Sequence, residues 1–361
     1  MKPYNIIISG GGTGGHIYPA IAIANECRKR WNDCNILFVG AADRMEMQKV
    51  PAAGYQIKGL WISGLQRNLS LKNLAFPLKL IKSLFDARKI VKQFSPDVAI
   101  GTGGYASGPL LFAASSKQIP TLIQEQNSYP GVTNKLLGKK ADIICVASEG
   151  MDQFFSKAKI RFTGNPVRQD ILAVDELREE SLKYFDLDPK RRTLLVLGGS
   201  LGAKRINELI DEELENLSAD VQVLWQCGKS YYSKFKQLAS DGVQVLEYIE
   251  RMDLAYAAAD YIISRAGAGS ISELCIVGKP SILIPSPHVA ENHQVKNAER
   301  IAQQDAALMI EEDNLGALFP SAWRKLHGNH SLQDRLAFNI KNLALPRATT
   351  EIVDLVEKVI K

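Results

Sequence analysis

Seven consecutive residues, Gly10-Gly11-Gly12-Thr13-Gly14-Gly15-His16, restrict the folds open to this chain more than any other stretch. An apolar run at residues 4–9 precedes them and reads as a buried strand, and a helical pattern follows at residues 17–30. Strand, glycine loop and helix in that order open a parallel α/β unit. Glycines let the backbone turn tightly and approach a ligand, while the amides and dipole of a helix start favour an anion. A dinucleotide loop is the other reading of such a stretch. The second strand, however, closes on Val39-Gly40-Ala41, without the acidic residue that holds a ribose in that motif. His16, just past the glycine turn, is placed to act as a general base.

The same rhythm continues. Further strands are expected at residues 35–39, 55–60, 98–101, 121–124 and 143–147, and Gly164-Asn165-Pro166-Val167-Arg168 then breaks the pattern. The plan restarts with a strand at 193–197, the loop Gly198-Gly199-Ser200-Leu201-Gly202 and a helix at 203–214. Strands follow at 221–226, 243–247, 261–264, 281–285 and 307–310. A length of 361 residues exceeds one ordinary core. The expectation is an α/β protein of two doubly wound, Rossmann-like domains, residues 1–164 and 165–345, facing a central cleft. Ligands of open α/β sheets bind at the carboxyl ends of the strands. A last amphipathic helix at 349–360 follows Pro346, and residues 346–361 are expected to cross back to the first domain.

Composition removes several classes of function. Apolar residues at 46% and charged residues at 23% describe a globular chain. A net charge of +5 suits an anionic ligand, but no dense basic stripe marks a nucleic-acid binder. The five cysteines are scattered and never two residues apart, which removes zinc-ribbon and thioredoxin readings. With neither a signal-like start nor an apolar run of about eighteen residues, the chain is expected to be cytoplasmic.

Four further stretches carry chemistry. Gly101-Thr102-Gly103-Gly104-Tyr105-Ala106-Ser107-Gly108-Pro109 is a second glycine loop between strand and helix. Together with Gly12, its residues Gly103, Gly104, Tyr105 and Ser107 suggest a cradle for the diphosphate of an acceptor; the other reading is tight turns packing strand on helix. In the second half, Ser200 offers a hydroxyl at a helix start. In Arg265-Ala266-Gly267-Ala268-Gly269-Ser270-Ile271-Ser272-Glu273, small residues admit a ligand and Glu273 can accept two hydrogen bonds from a ribose diol. Ser270 capping a helix with Glu273 three residues on is the alternative there. Gln294 can meet sugar hydroxyls, whereas His288 and His293 lack the carboxylates of a metal site, so no metal is expected.

Residues 71–94 form a candidate membrane surface. Lys72, Lys79, Lys82 and Lys89 share one arc of a helix, with Pro77 starting or kinking it. Leu78, Ile81 and Phe85 occupy one side and Leu80, Leu84 and Val91 the other, so one side can pack on the sheet and leave the other for lipid. Lys139 and Lys140 extend the basic rim. A large buried helix with a solvated lysine edge is the competing reading.

Seven motifs in order, GGGTGGHIYPA, GTGGYASGP, QEQNSYPGVTN, GNPVR, GGSLGA, SRAGAGSISE and HQVKNA, span essentially the whole chain. In this the chain resembles the MurG family, bacterial peptidoglycan glycosyltransferases that act on a lipid-linked muramyl-pentapeptide. The resemblance implies a GT-B fold and transfer, with inversion, of N-acetylglucosamine from UDP-N-acetylglucosamine. The acceptor it implies is the C4 hydroxyl of undecaprenyl-diphosphate-linked N-acetylmuramyl-pentapeptide, reached from the cytoplasmic face of an anionic membrane, with no cofactor. Carried over by motif, donor contacts fall on Thr13, Gly14, Gly15, Asn127, Arg168, Ser200, Ala268, Gly269, Ser270, Ile271, Ser272, Glu273 and Gln294, with Ile249 making a backbone contact to the uracil. Gln124 departs from the histidine of many relatives, which leaves His16 and Glu125 as the catalytic candidates. Rival readings are a transferase of the same fold using another glycolipid or natural product, a sugar-nucleotide epimerase, and a nucleotide-sugar-binding regulator.

Overall fold

The computed structural model describes residues 3–64, 75–199, 201–287, 289 and 292–361. The chain forms two compact units, Met1–Val167 with Arg347–Lys361, and Arg168–Pro346.

In the first unit, β1 (Asn5–Gly10), α1 (Gly14–Arg30), β2 (Asn35–Ala41), α2 (Glu46–Ala52) and β3 (Gln56–Leu60) come first. Then follow α3 (Phe76–Phe94), β4 (Val98–Gly103), α4 (Ser107–Ser115), β5 (Thr121–Glu125), α5 (Val132–Gly138), β6 (Ile143–Val146) and β7 (Ile160–Phe162). Among the described residues the strands form one sheet in the order β3-β2-β1-β4-β5-β6-β7, with every pairing parallel. Crossover helices cover both faces of such a sheet, so its central strands read as unbroken apolar runs. Ile6, Ile7 and Ile8 show this, each fully buried. Ile7 joins Leu37, Ala99 and Leu110 on one face, while Ile6 and Ile8 join Ile17, Ile23 and Val98 on the other.

The second unit runs α6 (Arg178–Tyr184), β8 (Thr193–Leu197), α7 (Lys204–Asp220), β9 (Gln222–Gln226), α8 (Tyr232–Phe235), β10 (Val243–Leu246) and α9 (Met252–Ala258). It continues with β11 (Tyr261–Ser264), α10 (Ala268–Val277), β12 (Ser281–Leu283), α11 (His293–Gln303), β13 (Leu308–Met309), α12 (Leu315–His327) and α13 (His330–Asn342). Its strands form a second parallel sheet, β10-β9-β8-β11-β12-β13, around a core that includes Trp225, Ile263 and Phe319. The last helix, α14 (Ala348–Ile360), belongs to the first unit. Ile352, Val353 and Val356 enter the same cluster as Ile17 and Ile23 of α1, and Arg30 pairs with Asp354 at 2.5 Å.

Some local expectations shift. α1 starts at Gly14, three residues before the apolar pattern, with Thr13 extended at φ −144° as its first boundary residue. β7 was not foreseen: it has three residues at the sheet edge, and Arg161 and Phe162 are exposed. α3 begins at Phe76 with Pro77 in its first turn, where the missing amide costs nothing. Lys72 and Ser200 lie outside the described residues.

What matters for function is where the strand order reverses. It does so between β1 and β4 in the first sheet, and between β8 and β11 in the second. The loops leaving those four strands are the glycine-rich stretches singled out above, at the topological switch points where ligands of such sheets bind.

Candidate active site

In the first unit the two glycine loops are interlocked. The Gly11 amide donates to the Gly103 carbonyl at 3.2 Å. Gly104 has φ +94°, and a Cβ there would lie 2.4 Å from the Gly11 carbonyl oxygen; at Gly103, with φ +111°, it would lie 2.6 Å from His16 Nδ1. No side chain fits at either place, so loop packing accounts for both glycines. The diphosphate cradle expected here is corrected at two more positions. Ser107 is fully buried and its Oγ donates to the Ser9 carbonyl at 3.2 Å, bracing β1. The Gly12 amide is likewise occupied, since it donates to Glu46 Oε2 at 2.9 Å. Tyr105 remains at the surface, 44% exposed, with its ring against Gly64. The anion-binding feature left is the start of α1, where Thr13 makes no side-chain cap and the first-turn amides of Gly14 and Gly15 project from the helix end.

His16 is held at two points. Its carbonyl accepts from Thr102 Oγ1 at 2.7 Å, and Nδ1 lies 2.9 Å from Gln126 Oε1. Gln126 is in turn anchored through Nε2, which donates to the Thr102 carbonyl at 2.8 Å. Glu125 departs from its expected role as a base. It is 1% exposed, and its Oε1 accepts from the Asn127 amide at 3.0 Å and Asn127 Nδ2 at 3.3 Å. Its Oε2 accepts from Asn134 Nδ2 at 2.8 Å and the Gly131 amide at 3.3 Å. Four donors saturate a carboxylate, so Glu125 holds the loop between β5 and α5 rather than collecting a proton. Asn127 points its amide at that brace.

In the second unit, Glu273 sits in α10. The residue before that helix is Gly267, extended at φ −64° and ψ 145°, and no side chain caps the helix. Ser270 therefore lies within the first turn, and the capping-box alternative fails. Instead, Glu273 Oε1 is 3.2 Å from Arg168 Nε and Oε2 accepts from Tyr256 Oη at 2.8 Å. Burial pushes the Glu273 carboxyl upward, against the opposing pull of Arg168. The helix start beside it is open: a Cβ on Gly269 would meet no heavy atom within 4 Å. Ile271 is buried among core residues, and Ser272 Oγ turns back to the Ala268 carbonyl at 3.0 Å. Ile249 donates its amide to Gln226 Oε1 at 2.8 Å, while Gln226 Nε2 reaches the Gly199 carbonyl at 3.1 Å. Gln226 thus ties the segment around Ile249 to the glycine loop after β8. Gln294 Oε1 accepts from the Ser286 amide at 2.9 Å.

Comparison with known proteins matches both units. Residues 6–146 match the N-terminal domain of glycosyltransferase family 28, and residues 193–336 match its C-terminal domain. The UDP-N-acetylglucosamine–N-acetylmuramyl-(pentapeptide) pyrophosphoryl-undecaprenol N-acetylglucosamine transferase of Christiangramia forsetii is 60% identical over 356 residues, covering 98% of this chain and 97% of that protein. The protein of the same name from Flavobacterium psychrophilum is 57% identical over 363 residues, covering 100% and 99%. The crystal structure of Acinetobacter baumannii MurG has a TM-score of 0.77 at 31% identity, covering 99% of this chain and 100% of that one. The chain belongs to the MurG family.

As a MurG-family chain with both family 28 domains, it is a glycosyltransferase of the GT-B fold. Glu46, Gln126, Gln226 and Tyr256 are residues of the candidate site that sequence reasoning passed over. Each is a buried polar group whose partner lies on another element, and Glu46 alone carried a local signal, an acid among the residues just after β2.

Proposed function

We infer that this chain transfers N-acetylglucosamine from UDP-N-acetylglucosamine to the C4 hydroxyl of lipid-linked N-acetylmuramyl-pentapeptide in peptidoglycan synthesis. The observation that carries this reading is full-length identity of 60% to a transferase of that name, with four of the seven motifs leaving the strands that flank the two switch points. The first unit takes the acceptor and the second the donor. Inversion requires direct displacement at the anomeric carbon: the acceptor oxygen attacks, a base takes its proton, and UDP departs from the opposite face. His16 is the base in this scheme, since the Glu125 carboxylate is saturated. Glu273 receives the ribose diol, Arg168 supplies positive charge near the donor, and the α1 start with Gly14 and Gly15 stabilises negative charge.

The first unit also carries the membrane surface. Leu78, Ile81 and Phe85 of α3 are 66%, 53% and 64% exposed, whereas Ala87, Ile90 and Val91 on its other side are buried. Lys79, Lys82 and Lys89 stand on the same helix, and Lys139 and Lys140 are exposed beyond α5. No described helix is long and apolar enough to cross a membrane. Partial insertion of three apolar side chains, helped by about 1 kcal/mol per nearby basic residue on an anionic surface, gives reversible peripheral attachment. This attachment brings the enzyme to a lipid-linked acceptor at the cytoplasmic face.

A transfer assay with radiolabelled donor tests the function. Label must move into the undecaprenyl-linked muramyl-pentapeptide; release of UDP without labelled lipid, or preference for a diacylglycerol acceptor, overturns the reading.

A further inference from the structure

His16 ends in a buried chain of amides that does more than hold it still. Gln126 Nε2 faces two backbone carbonyls, Thr102 at 2.8 Å and Gln124 at 3.1 Å. A backbone carbonyl can only accept, so the nitrogen of the Gln126 amide must point at them and its oxygen must point at His16. The usual ambiguity of a glutamine flip is thus settled by the main chain. Only an N–H can bond to that oxygen, and Nδ1 is the ring nitrogen 2.9 Å away. A further layer locks the arrangement. Gln124 Oε1 also accepts from Gln126 Nε2, Gln124 Nε2 donates to Asn165 Oδ1 at 3.0 Å, and Asn165 Nδ2 donates to the Gln126 carbonyl at 3.3 Å. Gln124, Gln126, Thr102 and Asn165 are each 5% exposed or less, so water does not compete for these bonds.

We propose that Gln126 is a positioning residue that fixes His16 in the Nδ1–H tautomer, leaving the lone pair on Nε2 for the acceptor hydroxyl. This rests on the reading of His16 as the base and deepens it. The acceptor proton goes to Nε2, the resulting imidazolium keeps its Nδ1–H on Gln126, and the C4 oxygen forms the glycosidic bond as UDP leaves. Gln124 belongs to the same device. Its side-chain amide can donate to Asn165 and accept from Gln126 at once, whatever the pH.

Two measurements test the assignment. Long-range proton–nitrogen correlation spectra of the 15N-histidine enzyme, with the His16 signals identified by their loss in His16→Ala, show which ring nitrogen carries the proton above the titration range. Protonated Nδ1 and bare Nε2 are expected; the Nε2–H tautomer in the wild-type protein overturns the proposal and needs no folded Gln126 variant. The second measurement compares Gln126→Leu with Gln126→Glu. Leucine offers Nδ1 no acceptor, and kcat is expected to fall about tenfold or more with donor KM unchanged. Glutamate restores an acceptor to Nδ1 that also stabilises the imidazolium, but gives up the donor to the Thr102 and Gln124 carbonyls. Turnover should therefore return only in part relative to leucine, at alkaline pH, with the acid limb of kcat/KM moved upward. Equal losses in both variants, with the limb unmoved, mark a merely structural residue and overturn the proposal. Full turnover by His16→Ala sinks the base and leaves the tautomer result standing, so the two failures are distinguishable.

Discussion

The carboxylate of Glu46 lies beneath the first glycine loop and receives the Gly12 amide at 2.9 Å. Its other oxygen receives the Ala41 amide at 3.0 Å, so one buried acid ties the loop after β1 to the end of β2. A Cβ on Gly11 would lie 2.1 Å from Glu46 Oε1, which makes the glycine and the glutamate a matched pair. Charge-assisted bonds of this kind contribute about 1.5–3 kcal/mol each. Glu46→Ala should therefore lower unfolding stability by about 2–4 kcal/mol in urea titration and disorder the loop enough to impair turnover. A change below about 0.5 kcal/mol would remove Glu46 from the architecture of the site.

Replacing His16 by alanine should reduce kcat by about a hundredfold or more, with UDP affinity held within a few-fold. Steady-state kinetics against lipid-linked acceptor, with UDP binding measured separately, resolves the two. Wild-type turnover would end its candidacy.

Glu273→Gln should raise the donor KM by the equivalent of about 1.5–3 kcal/mol and leave acceptor KM alone. Acidification gives an independent handle. Burial raises the carboxyl above its usual 4.5 in the folded protein, so donor affinity in the wild type should begin to weaken above that pH as it falls, because a protonated acid accepts fewer bonds. The limb should vanish in the glutamine variant. For folding the direction is opposite: the stability held by the protonated form is complete below 4.5 and is lost as pH rises through the raised folded value. A donor KM that is flat with pH in both proteins would separate Glu273 from the ribose.

Membrane attachment should depend on both halves of α3. Lys82 already pairs with Asp86 at 3.1 Å, and Lys79 donates to Ser63 Oγ at 3.1 Å, which tempers the contribution of each. Exchanging Lys79, Lys82 and Lys89 for glutamate should reduce sedimentation with anionic vesicles severalfold and abolish its salt dependence. Ile81→Glu with Phe85→Glu should reduce it at every salt concentration. Equal binding by all three proteins would place the lipid surface elsewhere.

The fold was legible because its signal is local. Three isoleucines in a row, a glycine loop and a helical pattern occupy adjacent residues, and the same order recurs at 193–214. One weak strand was not: β7 has one partly buried residue followed by two exposed ones, whereas β13, of only two residues, falls within the strand expected at 307–310. In the site, His16 and Glu273 stood out as reactive types next to loops of small residues. Their supports did not, because Gly12 and Glu46 are 34 residues apart and His16 and Gln126 are 110 apart. Ser107 shows the converse. A serine after glycines reads the same whether it faces a ligand or, as here, turns under a strand to Ser9. The Ser270 cap failed for a related reason, since a capping pattern has meaning only once the helix start is fixed, and Gly267 takes that place.

The return of α14 to the first unit bears on how the protein is made. Synthesis runs from the amino end, so Ile352, Val353 and Val356, which complete the core around Ile17 and Ile23, leave the ribosome only after every residue of the second unit. The first unit is begun first and finished last. Until then one face of α1 stays uncovered, and nascent chains that stall within the thirteen residues of α14 carry a finished second unit and an unfinished first one. A frameshift within α14 damages the unit whose other residues are Met1–Val167.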